Sequence, residues 1–169
     1  MKKLFAPLTC LFLALVAVQA GPCLSPAFGA GQKEPVIIRS VHGDFDSVWE
    51  DLNTALGDRG LVVSSVSHVG EMLERTGKAL GRTRKIFGKA KVVEFCSAVV
   101  SRDMMETDPH FIAFCPYQIA VYTIQGEEKK VYLSYRRLIW NDKSGQAARK
   151  EVEDLLDGIV TDVINMQTE

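Results

Sequence analysis

Two runs of β-branched and aromatic residues, Tyr117–Ile124 (YQIAVYTI) and Lys130–Ile139 (KVYLSYRRLI), stand on either side of Gln125-Gly126-Glu127-Glu128. Runs of this composition divided by a short glycine-bearing spacer predict a β-hairpin. The hairpin lies within a segment, Lys91 to Arg137, that carries most of the strand-forming residues of the chain. A hairpin alone is marginal in water, so the flanking sequence reads as packing for this segment.

One flank closes the chain. Val152, Leu155, Leu156, Ile159, Val160, Val163 and Ile164 recur at three- and four-residue steps with acids and amides between them, which predicts an amphipathic helix lying across one face of the sheet, with Ser144 as its N-cap. The other flank opens with Val36–His42 as a strand. Asp44 then caps a helix carrying Phe45, Val48, Trp49, Leu52, Ala55 and Leu56 on one face and ending at Gly57 or Gly60, and Leu61–Val69 (LVVSSVSHV) alternates as a half-buried strand does. Glu71–Leu80 predicts a short helix, residues 81–90 a glycine-punctuated basic loop, Lys91–Ser97 a strand, and Ser101–Phe114 a short helix and loop turning at Asp108-Pro109. The order predicts an α+β fold: a two-layer sandwich with an antiparallel or mixed sheet of about five strands and two long helices.

A chain of 169 residues suffices for one core and hardly for two. Lys2 and Lys3, the apolar run Leu11–Val18 and the small-residue site Val18-Gln19-Ala20 predict a secretory signal peptide over residues 1–20, hence a periplasmic or secreted protein. Residues 21–34 (GPCLSPAFGAGQKE) read as a flexible leader and 35–169 as a single domain, with no segment long and uncharged enough to span a membrane. Cleavage removes Lys2 and Lys3 from a chain of formal charge −1, and leaves Cys23, Cys96 and Cys115. The charge is unevenly placed. Lys78, Arg82, Arg84, Lys85, Lys89 and Lys91 are uninterrupted by any acid, whereas Glu151, Glu153, Asp154, Asp157, Asp162 and Glu169 make the end acidic. Export argues against nucleic acid as the partner of the basic run, whose glycines fit neither a phosphate loop nor a dinucleotide motif, so it reads as a solvated face.

The residues Glu94-Phe95-Cys96-Ser97-Ala98, Asp108-Pro109 and Phe114-Cys115-Pro116-Tyr117, leading into Ile119-Ala120-Val121-Tyr122, resemble the domain-of-unknown-function 302 family, with Cys115-Pro116 in the reverse of the family's proline–cysteine order. The resemblance extends from about Val36 to Val163. It implies a TATA-binding-protein-like order of strands and helices and an association into homodimers, and it implies no activity.

Cys96 and Cys115 fall at the end of one expected strand and the start of another. In an oxidising compartment a structural disulfide is one outcome; two reduced buried thiols, or a redox-active or metal-binding pair, are the others. Met104, Met105 and His110 would complete a soft donor set for copper or haem iron, but no strong metal or haem spacing is present, and no cofactor is predicted. Glu94 interrupts an apolar strand, so if it faces inward it needs a cation such as Arg136 or Arg137. Such a pair beside Cys96, Tyr122 and Tyr135 would make a polar spot in an apolar pocket. No nucleophile stands in a catalytic motif. The sequence therefore predicts a non-enzymatic module for an unidentified small ligand or partner, with Glu94, Cys96, Cys115, Tyr117 and Arg136 as ligand-binding residues; the alternative is a redox or metal protein using the two cysteines.

Overall fold

The chain leaves its first strand at one edge of a sheet and enters the second at the other edge, crossing behind the three strands of the expected hairpin region. The computed structural model describes residues 34–140, 143 and 145–168. The expected signal peptide and nearly all of the leader, together with Ser144, lie outside the described residues. The elements are β1 (Val36–His42), α1 (Phe45–Asp58), β2 (Val62–Ser67), α2 (Val69–Ala79), β3 (Phe87–Cys96), α3 (Ala98–Thr107), a 3-10 helix (Pro109–Phe114), β4 (Tyr117–Ile124), β5 (Lys130–Arg136) and α4 (Gln146–Met166). The sheet order is β1-β5-β4-β3-β2 with every neighbouring pair antiparallel. The sheet is thus antiparallel throughout rather than mixed.

Period-two patterning decides which face is covered. Ile119, Val121, Val131, Leu133, Val93 and Phe95 are fully buried, while the residues between them, such as Gln118, Ala120, Tyr132, Ser134 and Glu94, are half-buried. The buried set meets Val48, Leu52 and Leu56 of α1 and Val152, Ile159, Val160 and Val163 of α4 in one core. The helices pack on this face; the alternate residues form an uncovered face on which Tyr122 and Tyr132 stack at 5.2 Å.

Local chemistry sets the element ends. Asp44 caps α1, its Oδ1 accepting from the Asp46 N–H at 2.9 Å. At the other end Gly60, at φ +64°, lets the Leu61 N–H reach the Leu56 carbonyl at 3.0 Å, so the second of the two candidate glycines ends the helix. Ser97 accepts from the Val100 N–H, which starts α3 ahead of the expected Ser101. Asp108 with Pro109 starts the 3-10 helix in the same way.

Other boundaries differ from the pattern reading too: the strand expected over Leu61–Val69 stops at Ser67, and Val69 instead opens α2. β3 begins at Phe87, inside the expected loop, because β4 holds it: Phe87 pairs with Ile124, and Thr123 Oγ1 accepts from the Lys89 N–H at 3.0 Å. Gly88 makes this possible, since a Cβ there would stand 2.6 Å from that hydroxyl. β5 ends at Arg136 rather than Ile139, because the Leu138 N–H turns to the Glu153 carboxylate at 3.2 Å. The cap position of α4 is Gly145, at φ +61°. β2 carries a bulge between Val63 and Ser65, and pairs only with Val92–Cys96.

Candidate functional site

The pairing of Phe95 with Tyr117 sets the end of β3 against the start of β4, and so brings Cys96 and Cys115 to one corner. Their sulfurs stand 3.2 Å apart as free thiols, in hydrogen-bond contact; a disulfide requires about 2.05 Å. Ser101 Oγ lies 3.5 Å from Cys115 Sγ and donates to the Tyr117 hydroxyl at 3.2 Å. Desolvation of the sulfur, then the hydrogen bond and charge of Cys115, push the Cys96 thiol up to about 11. Burial likewise raises Tyr117, against the smaller lowering effect of its Ser101 contact. Cys96 is therefore a protonated, weakly nucleophilic thiol at neutral pH.

Glu94 is on the uncovered face. Gln118 Nε2 donates to Glu94 Oε1 at 2.8 Å, and Arg136 Nη2 donates to Gln118 Oε1 at 2.8 Å. The acid and the arginine are thus joined across three neighbouring strands through an amide rather than in direct contact. Arg137 instead donates to Glu153 at 3.1 Å. The polar spot expected around Glu94 divides between the two faces of the sheet: Tyr122 is on the uncovered side, while Tyr135 donates to Asp157 of α4 at 3.1 Å. Burial and the Asp157 charge push Tyr135 up to about 12. Tyr117 and Arg136 do share a small cleft of about 160 Å³ with Pro116 and Gln118, whereas Glu94, Cys96 and Cys115 are not in its lining.

Of the soft donors, Met104 is buried in the core, Met105 is half-buried and His110 is exposed. Among the described residues no group of three His, Cys, Asp or Glu side chains is placed to hold a metal ion. His68 occupies the cap position of α2, with Nδ1 3.4 Å from Glu71, and His42 is exposed at the end of β1.

A larger cleft, of about 370 Å³, opens where β3 outruns β2. α2 lies beside the unpaired part of β3, and Gly70 brings it close: a Cβ at Gly70 would stand 3.0 Å from the Ala90 nitrogen. Phe45 of α1, Leu73 of α2 and Phe87 of β3 supply apolar walls, and the segment 82–86 closes one side. The ammonium groups of Lys89 and Lys91 lie 5.5 and 5.8 Å from the Phe45 ring centre, and Lys89 also pairs with Asp46. Lys78, Arg82, Arg84 and Lys85 also line it, with the acids Asp46, Glu71 and Glu74, and these four cations make no ion pair among the described residues. α2 itself buries no residue. The six cations of the expected solvated face therefore all line a concavity. The absence of acids from that run was the available signal; the concavity was invisible because it depends on the β3–β4 register and on α2.

The described residues include no helix long and apolar enough to cross a membrane. No curated protein matches the chain. Its fold is similar to the crystal structure of an uncharacterised conserved DUF302 protein from Bacillus stearothermophilus, with a TM-score of 0.65 at 16% identity, over 78% of this chain and 99% of that one. Residues 37–163 match the family described as Domain of unknown function DUF302, and with most of its length matched the chain belongs to that family.

Proposed function

We propose that this protein is an exported, non-enzymatic module that binds a small molecule, and that its site is the cleft between α2 and β3. The observation carrying this reading is a concavity of about 370 Å³, within the size range of ligand pockets, walled by Phe45, Leu73 and Phe87 beside a helix with no buried residue. Leu73, the one large apolar side chain that α2 gives to the lining, is half-buried and gains burial when that space is filled. The test is fluorescence of N-phenyl-1-naphthylamine, a neutral apolar probe, with the wild type and with Leu73→Trp, which fills the cleft. Saturable binding by the wild type, lost in the variant while the melting temperature holds, supports the reading. Equal binding by both, or none by either, refutes it.

The 3.2 Å sulfur separation favours a second reading, thiol–disulfide exchange at Cys96 and Cys115. Two thiols would lose two electrons and two protons to an incoming disulfide, which leaves as two thiols. Equilibration with reduced and oxidised glutathione, followed by alkylation and intact mass, tests it. A pair that stays fully oxidised across the accessible ratios is structural and not an exchange centre.

A further inference from the structure

We infer that the α2–β3 cleft takes a small anionic amphiphile, a carboxylate or phosphate head on an apolar body; the inference rests on the binding reading above. The lining carries six cations, Lys78, Arg82, Arg84, Lys85, Lys89 and Lys91, against Asp46, Glu71 and Glu74, in a chain whose formal charge is −1. Of those acids Asp46 is paired with Lys89, and Glu71 lies 3.4 Å from the His68 imidazole. Lys78, Arg82, Arg84 and Lys85 make no ion pair among the described residues, and Glu128 acts on Lys85 only at longer range. Like charges gathered around a concavity focus a positive potential there, which favours an anion of matching size.

The arrangement also has a direction. Phe45 is buried, Leu73 and Phe87 are half-buried, and Lys78, Arg82, Arg84 and Lys85 are all exposed. The buried Phe45, with the Lys89 and Lys91 ammonium groups over its ring, marks the inner end, and the other four cations stand at the solvent-facing rim. A ligand fits it with its apolar part inward and its head at the rim, where guanidinium groups bind carboxylate or phosphate oxygens without the full desolvation cost of a buried ion. Size sets a bound. A cleft of about 370 Å³ is toward the small end of the range for ligand pockets, which favours a short apolar body over a full-length lipid chain. Decanoate is a ligand of that kind. The cation ring alone would accept an inorganic anion, and the apolar wall alone a neutral hydrocarbon; their combination selects a molecule that has both.

The experiment is calorimetric titration of the mature protein with decanoate and, separately, with 1-decanol, which shares the body and lacks the charge. Decanoate is expected to bind at least tenfold more tightly at low salt, with the advantage shrinking as salt rises. The triple variant Arg82→Gln/Arg84→Gln/Lys85→Gln alters only exposed side chains and is expected to lower decanoate affinity at least tenfold, leaving decanol unchanged. If decanol and decanoate bind equally, the anion inference is overturned while the cleft reading stands. If neither binds, and the neutral naphthylamine probe does not either, the cleft reading itself has failed. Sedimentation with phosphatidylglycerol vesicles, without binding of free decanoate or decyl phosphate, would overturn the proposal in favour of a membrane surface.

Discussion

Oxidation of the Cys96–Cys115 pair is expected to staple the corner between β3 and β4. The two sulfurs need to approach by only about 1 Å to reach bonding distance from their present 3.2 Å. The closed loop, spanning a sequence separation of 19, contains about 20 residues, for which the chain-entropy relation gives about 3 kcal/mol of stabilisation. For a domain of this size each kcal/mol moves the midpoint by about 3 °C, so the oxidised protein should melt about 10 °C above the reduced one. The assay is scanning calorimetry on residues 21–169 carrying Cys23→Ser, which leaves Cys96 and Cys115 as the two thiols and so allows one pairing. Intact mass after alkylation confirms the state of each sample. Cys96→Ser should melt like the reduced parent whether or not oxidant is present. The reasoning is refuted if oxidised and reduced samples melt within a degree of each other, or if both thiols stay alkylatable after mild oxidation.

In reductant, the rate of Cys96 alkylation against pH, read by peptide mass, should show this thiol ionising near pH 11 rather than at the ordinary 9.0. Because the folded value is raised, this thiol's contribution to stability is complete below about pH 9 and is lost as pH climbs toward 11. Urea midpoints of the reduced protein should therefore fall over that window, and a flat profile would contradict the geometry. Gly145→Ala should cost about 1–3 kcal/mol in urea unfolding, since φ is +61° there and a Cβ would run into the Phe111 ring; a neutral result would mean that the α4 cap is not as described. Leu52→Ala, at a fully buried position between α1 and the sheet, should cost about 2–5 kcal/mol with little change in the denaturant slope. A loss below 1 kcal/mol would place Leu52 outside the core.

Where a segment's own side chains decide its conformation, the sequence was sufficient. Val36–His42 and Tyr117–Ile124 became strands with the expected limits because β-branched and aromatic residues crowd them, and Asp44 capped α1 because a carboxylate there reaches a free N–H. The family resemblance and the α+β order pointed to the same architecture. Where a distant element decides, pattern reading fell short. Phe87–Ala90 has two small residues and a lysine and little strand propensity, and it is Thr123, on another strand, that recruits it. Leu138 and Ile139 have ample propensity, yet Glu153 of α4 withdraws the Leu138 N–H from the ladder. The candidate residues around Glu94 and the thiols were legible as one neighbourhood, because strand ends fix it, but not their division between two faces. That division rests on the side on which each residue of a register falls. The basic cleft depended wholly on tertiary placement, since the same cations on an isolated loop would be an ordinary wet surface.

The bulge in β2 bears on how the molecule keeps to itself. An edge strand offers a row of unpaired N–H and C=O groups that a neighbouring chain can extend into a growing sheet. β2 is six residues long, half of them serine, and its register breaks between Val63 and Ser65. Ser64 turns its hydroxyl back to the Glu94 carbonyl at 3.0 Å. An incoming strand would find no straight run of matching groups on which to align, and the polar serines give it little apolar surface to bury. The exposed valines at this edge, Val62 among them, are thereby kept from seeding edge-to-edge growth of the sheet.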